Sequence, residues 1–178
     1  PFTYPAGKIR IPHDAKSRAG GVMYTDYALG RFFAEASKQP WFGNTIFLIT
    51  ADHCASSAGR TEIPLEKYHI PAVILAPGLV EPCEVDGIVS QIDLMPTLFS
   101  LLNMSYDSRF YGRSVFDPDY TNRAFIATYQ DLGYLEGDTF TILSPVRRVE
   151  QYRVVPTEKN PHNLEPAAKT DEEQVNRA

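Results

Sequence analysis

Between about Ser17 and Lys38, Val22, Tyr24, Tyr27, Ala28, Phe32 and Ala36 mostly recur at three- and four-residue steps. That spacing predicts one face of a helix. Gln39-Pro40 should end it, because proline disfavours helical backbone at the residue before it. The preceding segment, residues 1–14, carries Pro1, Pro5, Gly7 and Pro12 and reads as an irregular, extended entry. Thr45-Ile46-Phe47-Leu48-Ile49-Thr50 and Pro71-Ala72-Val73-Ile74-Leu75-Ala76 are continuous apolar, β-branched runs. Runs of this kind predict strands buried on both faces, as in a parallel sheet. A second helix is predicted over Ser90–Asn103, with Ile92, Met95, Leu98, Phe99 and Leu102 on one side, Ser90 as N-cap and Asp93 in the first turn. Pro96 lies well inside that pattern, so the first turn should be irregular or the helix should start later.

Helix and buried strand in this order predict an α/β layered fold, a mostly parallel sheet flanked by helices. The strands at 45–50 and 71–76 should be neighbours, with helix 17–38 on their face. After residue 120 the texture changes. Residues 124–129, 138–143 and 148–154 read as short strands of a small antiparallel segment. The polar, proline-marked stretch 156–169 reads as loop. Thr170-Asp171-Glu172-Glu173 then reads as a helix start, with Thr170 as cap and Glu173 at the capping-box position.

Composition changes this picture little. Hydrophobic residues are 43% and charged residues 22% of 178, as in ordinary globular proteins. The formal net charge of −5 weighs against nucleic acid as a partner. Arg147, Arg148 and Arg153, interleaved with Glu150, read as a solvated strand face. No run reaches the ~18 apolar residues that span a membrane, and the chain is expected to be soluble. It opens at Pro1-Phe2-Thr3 without Met, and its last predicted helix has room for one or two turns. These ends suggest a piece of a longer protein, with residues 1–155 as part of one domain and 156–178 as a polar tail with the start of a helix. Cys54 and Cys83 are too few for a disulfide framework, and either one bridge or two free thiols fits them.

The sharpest chemical feature is Asp52-His53, directly after the strand at 45–50. In parallel α/β sheets ligands bind beyond the carboxyl ends of strands. A hard carboxylate oxygen and a borderline imidazole nitrogen delivered together there suit zinc, manganese or a similar divalent ion. A capping aspartate beside a surface histidine fits the same two residues. The following Cys54-Ala55-Ser56-Ser57-Ala58-Gly59 is small and polar, so a ligand can approach closely, as it can any flexible loop. His69 is a weaker site candidate. It stands at the start of the second strand, on the far side of the sheet unless its loop folds back. His13 and His162 fall in polar segments and read as surface residues.

Several stretches together resemble the sulfatase family of the alkaline phosphatase superfamily, in particular its phosphoglycerol transferase, or lipoteichoic acid synthase-like, branch. They are Tyr24-Thr25-Asp26-Tyr27-Ala28-Leu29, Trp41-Phe42-Gly43-Asn44-Thr45, Ile49-Thr50-Ala51-Asp52-His53, Tyr68-His69-Ile70-Pro71, Ala76-Pro77-Gly78, Ser90-Gln91-Ile92-Asp93 with Pro96-Thr97-Leu98, and Phe110-Tyr111-Gly112-Arg113. Their order and spacing follow the family's over roughly residues 1–155, the C-terminal part of such a domain.

The resemblance implies that Asp52 and His53 are two ligands of a divalent metal, which in this family is Mn, Mg, Zn or Ca. It places Ser57 where lipoteichoic acid synthases have a substrate-contacting serine. It puts the nucleophilic threonine, an acidic metal ligand, a substrate-contacting histidine and the membrane helices before residue 1, so no catalytic nucleophile is expected in this chain. The activity implied is transfer or hydrolysis of a phosphate or sulfate ester through a covalent intermediate. The substrate would be a lipid- or glycan-linked phosphoglycerol or another such ester. The protein would sit in a bacterial inner membrane with this domain on the periplasmic or extracellular side. The chain by itself should be inactive and prone to self-associate along an open sheet edge. The competing reading is a non-catalytic α/β module for binding or assembly, carrying an incidental Asp-His pair.

Overall fold

A computed structural model describes residues 2–54 and 63–178. Helix α1, Arg18–Ala36, lies where the periodicity predicts it. Ser17 caps it by accepting a hydrogen bond from the Gly20 amide at 3.1 Å. Strands β1, Phe47–Thr50, and β2, Ala72–Leu75, pair with one another in a two-stranded sheet. The second predicted helix opens as a 3₁₀ turn, Gln91–Asp93, and continues as α2, Leu94–Leu101. Pro96 thus sits in the first turn of α2, where its missing N–H deprives no helical bond. Ser90 and Asp93 close a capping box at the start of the 3₁₀ turn.

The rest is a five-stranded antiparallel meander: β3, Arg123–Ala127; β4, Leu132–Glu136; β5, Thr139–Ser144; β6, Arg148–Val154; and β7, Leu164–Pro166. A short helix α3, Glu172–Arg177, follows. Among the described residues no helix is long and apolar enough to cross a membrane.

Three expectations need correction. The larger sheet is the antiparallel one, and β1 and β2 are not buried on both faces, since Val73 is 54% exposed. The running direction expected for a parallel pair is not what the contacts show. Thr50 Oγ1, at the end of β1, donates to Pro71 O, at the entry of β2, at 3.0 Å. In a parallel pair Thr50 would face the other end of β2. The tail is not simply loop either. β7 pairs with β6 through Tyr152–Pro166, Arg153–Glu165 and Val154–Leu164, and α3 is capped by Asp171 rather than Thr170.

The chain divides into two compact units, Pro1–Ile49 with Ile74–Glu81, and Thr50–Val73 with Pro82–Ala178. In the first, Phe32 and Phe33 of α1 meet Phe47 of β1 edge-on, with ring centroids 6.0 and 5.2 Å apart, and Trp41 and Phe42 close the same aromatic cluster. Helix 17–38 therefore packs on the strand as expected.

In the second unit the period of two along β5 explains both faces of the meander. Phe140 and Ile142 point one way, into a core with Ile63, Leu65, Ile126 and Leu135. Thr141 points the other way. Its hydroxyl donates to Gln174 Oε1 of α3 and accepts from Gln151 Nε2, both at 2.8 Å. Gln174, only 2% exposed, closes that side as a fully hydrogen-bonded polar layer. Gly133 interrupts the apolar pattern of β4 for a packing reason. A Cβ there would stand 2.8 Å from the Phe140 ring and 3.1 Å from Ile63 Cδ1.

Candidate metal centre

The turn after β1 carries Asp52 and His53, and backbone geometry holds both side chains. The His53 amide donates to Asp52 Oδ1 at 2.9 Å, fixing the carboxylate. His53 Nδ1 lies 2.7 Å from the Cys54 carbonyl oxygen. A carbonyl only accepts, so Nδ1 carries a hydrogen, and in its neutral form such a ring offers its lone pair at Nε2. That nitrogen is 3.2 Å from Asp52 Oδ2.

A carboxylate oxygen and an imidazole nitrogen therefore face one another, and with the ring neutral both offer lone pairs. Two donors on bonds of about 2.1 Å, subtending an angle of about 100°, stand about 3.2 Å apart, so the pair fits one divalent ion. Orientation of a ligating histidine by a carbonyl on its other nitrogen is the usual supporting arrangement. The Asp52 and His53 side chains are 85% and 78% exposed, so their mutual contact adds little to stability. Among the described residues no group of three His, Cys, Asp or Glu side chains is placed to hold a metal. Ser57, the candidate substrate contact, lies outside the described residues.

Neighbouring elements hold this turn. Thr50 ties it to Pro71. Cys54 Sγ donates to the His69 carbonyl at 3.2 Å, and Gln91 Nε2 donates to the Ala51 and Asp52 carbonyls at 3.1 and 3.3 Å. The first two bonds correct the placement of His69. The end of β1 meets the beginning of β2, so the backbone of His69 comes to Cys54 and not to the far side of the sheet. Its ring goes elsewhere, with Nδ1 3.2 Å from Nε2 of His162 and the two rings nearly perpendicular. His162, expected at the surface, is half-buried in that contact. His13 is exposed as expected, and Cys54 and Cys83 are both free thiols.

Sequence reasoning also missed Asp93. Expected as a first-turn acid favourable to the helix dipole, it is completely buried. It accepts from the amides of Ser90 and Arg113, from Tyr120 Oη, and from both terminal nitrogens of Arg123. Burial first, and then the bond to Asp93, push the Tyr120 phenol far above its ordinary range, so it remains a donor. The acid's place in Ser90-Gln91-Ile92-Asp93 was legible, but Arg113, Tyr120 and Arg123, which bury it, lie 20 to 30 residues away.

The histidine contact carries a pH signature. Burial first, and then the positive charge of His69, lower the pKa of His162, with Glu66 opposing. A base whose pKa is lower folded than unfolded takes up protons more readily when unfolded. Its stabilising effect is therefore present above the ordinary value of about 6.5 and is lost as pH falls through the lowered folded value. Amide exchange in residues 156–166 should quicken at pH about 5 relative to pH about 7.5, after correction for intrinsic rates, and His162→Gln should reduce that difference. An identical pH response in His162→Gln would show that the contact does not control the tail.

A solved structure described as a protein in the alkaline phosphatase superfamily from Vibrio parahaemolyticus superposes with a TM-score of 0.89 at 33% identity, over 99% of this chain and 43% of its own. The chain thus spans less than half the length of that relative. The sulfatase family model matches residues 2–104, more than half of the 178. The strand-borne Asp52-His53 turn falls inside that match, and the chain belongs to the sulfatase family.

Proposed function

We propose that this chain supplies one side of a divalent-metal site in an enzyme acting on phosphate esters, of the phosphoglycerol transferase branch. Its nucleophile and remaining ligands would be contributed by residues outside the chain. Enzymes of this superfamily are typically hydrolases or transferases of phosphate or sulfate esters and generally use divalent metals. The observation that carries the reading is the 3.2 Å approach of His53 Nε2 to Asp52 Oδ2, with Nδ1 committed to the Cys54 carbonyl.

When bound there, the ion would supply Lewis acidity toward an ester oxygen and lower the pKa of a nucleophilic hydroxyl. The chain's own part is to hold the donors. Asp52 brings a negative charge that attracts the cation, and His53 brings a neutral nitrogen. Cys54 keeps the imidazole in the tautomer that can ligate. The mixed oxygen and nitrogen donors favour manganese or zinc over calcium, which takes oxygen ligands. The resemblance of the motifs to lipoteichoic acid synthases supports a lipid- or glycan-linked phosphoglycerol as substrate and a site facing outward from a bacterial inner membrane.

The test uses the whole protein, stripped by chelation and reloaded separately with Mn²⁺, Mg²⁺, Zn²⁺ or Ca²⁺. Turnover of bis(p-nitrophenyl) phosphate is measured beside p-nitrophenyl sulfate. The phosphodiester should be turned over faster, and only after reloading. Full activity in the stripped protein would refute the metal assignment. A preference for the sulfate would move the enzyme to the other ester class.

A further inference from the structure

We propose that Gln91 is a positioning residue for the metal-binding turn, setting the affinity of the Asp52-His53 pair without touching the ion. The inference rests on the metal reading above and adds a residue to it.

Asp52 and His53 are exposed, so packing cannot hold their side chains, and the turn must be held through its backbone. Among the described residues, four bonds to other segments do so. Two of them, at Thr50 and Cys54, flank the ligands. Among the described residues, only the Gln91 amide reaches the carbonyl of a ligand, Asp52, together with that of Ala51. A primary amide has two N–H donors, which matches two carbonyl acceptors. The contact therefore fixes both the position and the tilt of the peptide planes from which the Asp52 side chain departs.

Gln91 is itself held firmly. It opens the 3₁₀ turn that ends at Asp93, and Asp93 is wholly buried with Ser90, Arg113, Tyr120 and Arg123 around its carboxylate. The Gln91 backbone cannot drift without disturbing that cluster. The side chain is thus a strut from a rigid buried point to an exposed turn. Residues that orient metal ligands typically carry about 10- to 100-fold in metal affinity. No other assigned role accounts for an exposed glutamine directed at two carbonyls of a turn 40 residues earlier.

The test is Mn²⁺ titration calorimetry on the whole protein, beside the thermal midpoint of the metal-free form. Gln91→Met keeps length and removes the donors. Gln91→Lys keeps the length and restores a donor. Asp52→Ala is the control for the site. Gln91→Met should weaken Mn²⁺ binding by about 10-fold or more with an unchanged metal-free midpoint, and Gln91→Lys should recover most of the loss. If Asp52→Ala weakens binding and Gln91→Met does not, the positioning role is wrong and the metal site stands. If Asp52→Ala itself binds Mn²⁺ as the natural protein does, the metal reading fails and takes this inference with it. A fall of the metal-free midpoint in both Gln91 variants would make the glutamine a structural residue and overturn the proposal.

Discussion

Asp52→Ala in the whole protein is expected to reduce ester turnover by about a thousandfold or more, with little change in folding, because electrostatic stabilisation of developing charge is the largest catalytic term in such chemistry. The structure bears on the folding half of that expectation. The side chain is 85% exposed, and among the described residues its contacts, to the His53 amide and to His53 Nε2, lie within the same turn. Its removal therefore leaves no buried donor unpaired and no cavity. What it removes is the negative charge beside His53 Nε2. His53→Ala should lose less than Asp52→Ala, since a neutral donor departs and the charge stays. Turnover at saturating substrate and metal content by elemental analysis would be read together. Natural turnover with natural metal content in Asp52→Ala would remove the aspartate from the site.

Asp93→Ala should do the reverse, damaging the fold first. The carboxylate is wholly buried, and Arg123, 12% exposed, approaches it at 2.9 Å and 3.2 Å. Alanine would leave the guanidinium buried without its counter-charge. It would also leave the Tyr120 hydroxyl and the Ser90 and Arg113 amides without this acceptor. Breaking one side of a buried ion pair costs about 3–5 kcal/mol, a large share of the ~5–15 kcal/mol that holds a domain together.

Gly112 belongs to the same structure. A Cβ there would stand 2.0 Å from the Ile92 carbonyl oxygen, so the segment carrying Arg113 reaches Asp93 only because residue 112 has no side chain. Urea unfolding of Asp93→Ala, Arg123→Met and the double variant would give the coupling between them. A single-variant loss below about 1 kcal/mol would show that the cluster is not a main support.

Local physics made much of this protein readable in advance. Helix α1 and the capping box at Ser90 follow from side-chain spacing and from the few residues able to satisfy open helix ends. The apolar runs located β1 and β2 to within a residue or two, and the Asp52-His53 pair stands out because it follows one of them directly. Neighbours in sequence settle such features. Others depended on partners far along the chain. β4 was hidden because Gly133 interrupts its alternation, and the reason for that glycine is the Phe140 ring on the next strand. β7 looked like polar loop, and α3, though its start was legible, looked like a solvated end because Gln174 reads as a surface residue until Thr141 and Gln151 enclose it. The burial of Asp93, the approach of His69 to Cys54 and the reach of Gln91 to the Asp52 carbonyl likewise span 15 to 39 residues. The sequence by itself determined which residues could serve as metal donors. The tertiary structure alone decided what holds them, because a hydrogen bond between distant segments leaves no periodic trace in either.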